Sequence, residues 1–520
     1  MLRKNPPGAA RRHRTTLALT GLLCVATLLP GRTITVDDDD PSADYSSIQP
    51  AIDAAVAGDL VSVAPGVYAE NLNLKSGVSV IGAGADVTTV DAGARLHVAL
   101  LLNCDATTLL QGFTLTNGQR VSGAGVYVLG GAPIIDSNRI VGNTAVRAFD
   151  FSEGGGILLQ NTRAVVSNNL ISNNSADFGA GIEVGSGASI ITRNRITGNA
   201  ATISGGGLHF YNSFGAAVNG NSILLNSTTG YGGGVGVFEG APIISNNLIT
   251  GNTAISTDPN YGAYGGGVHV FNSNARLINN TLADNKADVG GGVSFLAFGS
   301  RHPGLINNIL YRNTGTTDSG GADLVVTEAD ILNNIFFANS LNDCGGVAAA
   351  LCMDPTNLLQ DPSLVDASRA DYRLLAASPA IDSGVAAGAP TDDLRGQRRP
   401  LDGNGDRVAA VDRGAYEYDR DDIFGLRFST ATTLTWQPAS GAALYHVYSG
   451  ALSTLATRGT DTCRDADDLL DLSDLLFTET RSPLAGGGFA YVVTAVIGGT
   501  EQSPGFDSRG LERSLLSPCP

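Results

Sequence analysis

The stretch "NRITGNAATISGGGLHFYNS", Asn194 to Ser213, is rich in Asn and Gly, yet its apolar residues are regularly placed. Asn194 and Asn199 bracket Ile196 in the pattern Asn-x-apolar-x-x-Asn. That pattern recurs along the chain, with first asparagines at Asn138, Asn169, Asn194, Asn221, Asn247, Asn280, Asn308 and Asn334. Ile, Val or Leu stands three residues before each of them, from Ile135 to Ile331. The steps between them are 31, 25, 27, 26, 33, 28 and 26 residues. An earlier copy runs through Gly112-Phe113-Thr114-Leu115, with Phe113 in the place of Asn.

Triplets of small residues keep the same period and end at Gly125, Gly156, Gly181, Gly207, Gly234, Gly267 and Gly292. Each leads into apolar-x-apolar, as in Leu208/Phe210 and Val268/Val270. Alternation at period two marks a strand with one buried face. Glycine before it permits a tight turn at positive φ. Short strands and turns repeating at this interval spell a solenoid, in which each coil buries its apolar face only by stacking on the next. Coils stack ~4.8 Å apart, so equivalent residues form columns. Stacked asparagines can hydrogen-bond along such a column and satisfy buried amides. The opening stretch is therefore one coil, not a linker. Leucine-rich repeats would need a helical segment in every repeat, which these coils lack. The expected fold class is all-β: a right-handed parallel β-helix over 33–343 with a short N-terminal capping helix, an extension over 344–421, and a β-sandwich over 422–520.

The 520 residues are 43% hydrophobic and include 67 glycines. The net charge of -17 argues against nucleic acid and against an anionic membrane surface, since both need a basic face. A basic start (Arg3, Lys4, Arg11, Arg12, Arg14) followed by an apolar run from Leu17 to Leu29 reads as a secretory signal peptide over 1–32. No second apolar run is long enough to span a membrane. Beyond Cys24 there are five cysteines, and export permits disulfides. The local pairs are Cys344–Cys352 and Cys463–Cys519, leaving Cys104 alone in a strand. The chain is expected at the bacterial cell surface or secreted, as a monomer.

These signatures resemble the pectin-lyase-like β-helix superfamily, specifically the secreted bacterial proteins with many short parallel β-helix repeats. The GGGI-type and I-x-x-N-type motifs are also similar to those of chlamydial polymorphic outer-membrane proteins. The likeness spans roughly Ile34 to Phe337. "DYSSIQPAIDAAVAGDLVSVAPGVYAENLNL" (Asp44–Leu74) looks like the helix-capped start of pectinesterase-like β-helices. Ser46 or Ser47 is the expected N-cap, Gly58 the stop, and Ile48, Ile52, Ala55 and Val56 the buried face. "DLRGQRRPLDGNGDRVAAVDRGAYEYD" and the stretch before it resemble the region after the β-helix in surface proteins with a choice-of-anchor domain. "LTWQPASGAALYHVYSG", with Trp436, resembles strands of a fibronectin type III-like module.

Chemistry has to sit on the outward slots of the strand after each triplet. The first outward column reads Tyr127, Leu158, Glu183, His209, Gly236, His269, Ser294. The second reads Leu129, Gln160, Gly185, Tyr211, Phe238, Phe271, Leu296. Glu183 and His209 are then vertical neighbours, a carboxylate placed to orient an imidazole base. Tyr211, Phe238, His269 and Phe271 make an aromatic surface on which a sugar ring can stack. Inserts near Thr144–Glu153 and Ala254–Tyr264 would wall this groove. The calcium-binding aspartates and arginine base that the resemblance to pectate lyases implies have no counterpart in these columns. The paired-Asp, Gln and Arg set of pectinesterases is also absent. "DGNGD", with Asp402, Asn404 and Asp406 followed by Asp412, places oxygens as at the start of a calcium loop, though Arg413 stands where the closing Glu belongs.

The expected function is an exported, non-catalytic β-helix protein that binds a polysaccharide, cell-surface glycan or surface partner through this groove, with calcium as the one candidate cofactor. A polysaccharide lyase, hydrolase or epimerase acting in the same groove is the second reading, and a passive envelope spacer the third.

Overall fold

The computed structural model describes residues 31–420, apart from positions 149 and 259, together with short strands between 427 and 501. The expected leader, Trp436 and the expected Cys463–Cys519 pairing fall outside the described residues.

Each coil carries up to four strands. In one, Val126–Leu129 follows the glycine triplet, then come Ile134–Asp136, Arg139–Val141 and the two-residue Thr144–Ala145. Each pairs in parallel with its equivalent one coil on: Val126 with Ile157, Ile134 with Val165, Arg139 with Leu170, Thr144 with Ser175. The third strands form an 11-stranded sheet and the fourth an 8-stranded one. The first and second ladders are fused into a 21-stranded sheet by Leu208–Asn219 and Val235–Ser245, each of which runs through both. The result is a parallel β-helix.

The inside follows the repeat. Ile140, Ile171, Ile196, Ile223 and Ile249 stack as one fully buried column. Burying each contributes about 2 kcal/mol. The asparagines form two ladders at the turns either side of that strand. The backbone N–H of Asn194 donates to Oδ1 of Asn221 at 2.9 Å. Nδ2 of Asn194 donates to the same oxygen at 3.0 Å and to the Val166 carbonyl at 2.8 Å. Asn199 does the same with Asn226 and Ile171. Phe113 occupies the Asn place one coil before Asn138, and its N–H donates to Asn138 Oδ1 at 3.0 Å. The ladders run on to Asn357, which accepts from the Asn334 N–H, and to Asp343, which accepts from Asn339.

The ends differ in detail from expectation. The helix spans Ile48–Ala54 and buries Ile48, Ala51 and Ile52. Ser47 sits at the N-cap without a side-chain bond; Glu70 caps instead, accepting from the N–H of Ile48 at 2.7 Å and of Gln49 at 2.8 Å. A carboxylate at that end also meets the helix dipole favourably. The chain leaves the helix at Ala55, before Gly58, so Val56 faces solvent. Cys104 is buried and unpaired, in the turn after Ala99–Leu102 and not in a strand. At the other end Cys344, whose strand pairs with Ala322, is bonded to Cys352 in a short 3-10 helix.

Residues 361–419 lie against the third ladder. Tyr372 Oη donates to Asp284 at 2.8 Å and lies 2.9 Å from Thr250 Oγ1. Nδ2 of Asn279 donates to the Asp412 carbonyl at 2.7 Å, and Nδ2 of Asn307 to the Val385 carbonyl at 2.8 Å. The third ladder of coils 248–337 is therefore covered by this extension. Beyond residue 426 the described strands make one three-stranded and one four-stranded antiparallel sheet.

Candidate functional site

The site begins at the glycine triplets. The first glycine of every triplet has positive φ; at Gly205 it is 68°. A Cβ there would come within 2.3 Å of the Leu208 carbonyl oxygen and 2.6 Å of His209 Cβ. The turn is that tight because the chain doubles back on itself. The residue before each triplet therefore lies over the outward face of the strand that follows. Those residues pair coil to coil in one continuous run: Ser122, Glu153, Phe178, Ser204, Tyr231, Tyr264 and Val289.

This covering overturns the open groove expected over the first outward column. Glu183 and His209 are vertical neighbours, in register, with His209 Nδ1 at 2.8 Å from Glu183 Oε2 and 3.0 Å from Oε1. Each, however, is only 3% exposed. His269 is fully buried and so does not belong to an accessible sugar-binding surface. The His209 ring is sandwiched between Phe178 at 5.0 Å and Phe238 at 5.4 Å, centroid to centroid. His269 lies 5.1 Å from Tyr231, 5.9 Å from Phe238 and 6.1 Å from Tyr264. The column is thus an inner layer of rings between the sheet and the turn.

The layer's polar atoms are poorly matched. Ser204 Oγ, His209 Nε2, both ring nitrogens of His269 and Ser294 Oγ are buried without a hydrogen-bond partner. Burial, and then the proximity of His209, pushes the His269 imidazole down to about 3, so it is neutral at ordinary pH. Burial raises Glu153, with the charge of Glu183 adding to it. Burial, and then Asp318, pushes Asp323, which continues the column beyond Ser294, up to about 6.

The second outward column is where the surface opens. Gly185, Tyr211, Phe238, Phe271 and Leu296 are in direct register. Tyr211 is 58% exposed, and Phe238 and Phe271 are half-buried with centroids 5.3 Å apart. Phe214, in the same long strand as Tyr211, is 57% exposed. Exposed Ile190 and Ile243 line the adjoining second ladder. The structure thus brings Tyr211, Phe238 and Phe271 into one stripe and buries Glu183, His209 and His269 beside it, under the glycine turns.

The inserts are tied down from the coil after each. Asp177 accepts from Arg147 Nε at 3.0 Å and NH2 at 2.7 Å, and from the Ser152 N–H at 2.9 Å. Asp288 accepts from the N–H groups of Ser256 and Ala263 at 3.0 and 2.9 Å. Phe151 of the first insert packs on Phe178.

The four candidate calcium ligands are not gathered around one point. Asp402 accepts from the N–H groups of Gly405 and Arg407, Asn404 from Asp406, and Asp406 from Val408, as in polar turns. Asp412 is buried elsewhere and accepts from the N–H groups of Asp382 and Tyr418. Burial, and then Glu417, raises its carboxyl far above the usual range. Among the described residues no group of three or more His, Cys, Asp or Glu is placed to hold a metal.

Sequence reasoning missed Phe178, Tyr231 and Tyr264. The signal was present: they stand immediately before Gly179, Gly232 and Gly265, so they share a column. Phe214 was missed because it lies outside the alternating pattern.

The sequence model of the family described as "Right handed beta helix region" matches residues 76–264. Over those residues the chain is thus similar to a right-handed β-helix, in keeping with the parallel ladders of the solenoid. Among solved structures the chain is similar to the crystal structure of pectate lyase Pel9A, at 16% identity over 76% of this chain and 98% of that one, with a TM-score of 0.49. It is also similar to pectin methylesterase from carrot, at 11% identity over 63% of this chain and 86% of that one, with a TM-score of 0.27. No curated protein matches it. No helix among the described residues is long and apolar enough to cross a membrane.

Proposed function

We propose that this chain is an exported bacterial β-helix protein that binds a polysaccharide or cell-surface glycan on the stripe Tyr211–Phe238–Phe271 and does not turn it over. The observation that carries this reading is the exposed Tyr211 in register with two half-buried phenylalanines on the outer side of the first ladder. Aromatic rings held on a rigid ladder offer an apolar body at little entropic cost. The burial of Glu183 and His209 removes the nearest acid–base pair from substrate. Residues 422–520 serve in this reading as a fibronectin type III-like module that presents the solenoid at the cell surface. The test is affinity electrophoresis of the full chain through gels containing acidic or neutral polysaccharides, with product assayed in parallel. Retardation without product, relieved by Tyr211→Ala, is the expected result. A chain that no polysaccharide retards, with or without calcium, is the spacer and not a binder.

One observation favours the second reading, an enzyme in the same place. His209 is held by Glu183 through Nδ1 while its Nε2 is bare, the arrangement of an oriented base. Unsaturated or reducing-end product that vanishes in His209→Gln would establish it.

A further inference from the structure

We infer that the glycan recognised by the stripe is a neutral one. The inference rests on the glycan-binding reading above and specifies the chemistry of its ligand. An acidic polysaccharide carries a carboxylate on nearly every ring and needs cationic side chains beside it. Between Arg195 and Arg301 the chain has only two, Arg276 and Lys286. Arg276 is already engaged by Asp330 at 3.1 Å. Lys286 stands in the fourth ladder, paired with Thr253 and Thr314, away from the open face. The stripe's own column, from Leu129 through Gln160, Gly185, Tyr211, Phe238 and Phe271 to Leu296 and Val325, holds no ionisable side chain except the tyrosine hydroxyl. The charge nearest to it in sequence is Glu239, exposed and directly after Phe238. Overall charge adds to the repulsion, at -17. What remains around the stripe is mostly apolar surface and amides, including Asn212 and Asn272, with the Arg276–Asp330 pair beyond Ile243 on the second ladder. Such a face suits the apolar side of an uncharged pyranose and its hydroxyl groups, not a row of carboxylates. From Tyr211 to Phe271 the stripe spans two coil steps, about 10 Å, the reach of a disaccharide.

Gly185 gives the idea a constructive test. It is in register directly before Tyr211, and no atom lies within 4 Å of where its Cβ would be. A side chain placed there lengthens the stripe without disturbing the fold. Calorimetry of the full chain would compare cellohexaose, xylohexaose and mannohexaose with hexagalacturonate, at low and high salt. The expected result is micromolar-to-millimolar binding of at least one neutral hexasaccharide, unchanged by salt. Tyr211→Ala should weaken it about tenfold, and Gly185→Tyr should strengthen it. Gly185→Arg should instead create salt-sensitive binding of hexagalacturonate that the natural chain lacks. Hexagalacturonate binding as tightly as the neutral sugars would overturn this inference while leaving the glycan reading intact. Absence of binding by all four hexasaccharides, with Gly185→Tyr equally silent, would overturn the glycan reading itself.

Discussion

Two kinds of buried polar column run along this solenoid, and they are built on opposite rules. The asparagine ladders inside the turns repeat one residue type, and Asn194, Asn221 and Asn247 pass the same hydrogen bonds from coil to coil. The column under the glycine turns changes at every step, from Glu183 to His209, Gly236, His269 and Ser294. Glu183 holds His209 Nδ1, but His209 Nε2, both ring nitrogens of His269 and Ser294 Oγ are left without partners. In a stack of coils about 4.8 Å apart, a repeated amide meets its own complement, because each donor finds the next acceptor at the same offset. A varied column has no such guarantee. Repetition therefore carries stability, and variation marks where the fold tolerates loss.

The largest expected effect comes from breaking a repeated column. Asn221→Ala removes the acceptor of the Asn194 N–H and the donor to the Ile191 carbonyl, both buried. Orphaning two such groups and opening a cavity should cost about 3 kcal/mol or more. Urea unfolding would measure it, and a loss under about 1 kcal/mol would show that water replaces the ladder.

The varied column should respond in the opposite direction. His269 is neutral when folded, with its pKa depressed to about 3 by burial and then by His209. Unfolded, it titrates near 6.5. Between those values the unfolded chain binds the extra proton, so stability falls as pH falls, by about 1.4 kcal/mol per pH unit from this residue. His269→Phe keeps the ring among Tyr231, Tyr264 and Phe238 and removes both bare nitrogens. The variant should be at least as stable at pH 7 and should unfold less readily between pH 6 and pH 3. Equal acid sensitivity in the two proteins would mean that His269 has a partner when folded.

A smaller effect is expected at the insert braces. Burial would raise Asp177, but hydrogen bonds from Arg147, Thr202 and Ser152 hold its carboxyl well below the usual range. Asp177→Ala should cost about 1–2 kcal/mol and expose the bond after Arg147 to trypsin. Resistance of that bond would locate the loop's anchor in Phe151 on Phe178 instead.

The period, the strands, the inward columns and both ladders were legible because they recur, and a recurrent residue reports a recurrent environment. The vertical contact of Glu183 and His209 followed from the same register. The cover over them did not. It depends on how the triplet turns, and the sequence supplies the glycine without the direction of the chain entering it. At the ends, where nothing repeats, the capping helix and the Cys344–Cys352 bond were legible but their details were not: Glu70, distant in sequence, caps the helix in place of Ser47, and Val56 is exposed.

Tyr211 lies outside both buried columns, so it separates binding from folding. Its ring is 58% exposed, and among the rings packed along this face Phe238 leans on His209, His269 and Phe271. Removing it uncovers little that was buried, so Tyr211→Ala should change unfolding free energy by no more than about 0.5 kcal/mol. The same substitution should weaken binding of whichever polysaccharide the natural chain binds about tenfold, and retardation with it. A variant that loses stability as well would mean that the tyrosine is part of the cover over His209, and the stripe would then be packing and not a surface. A variant that keeps both stability and binding would move the ligand off this face altogether, toward Phe214 and the apolar edge of the second ladder at Ile190 and Ile243.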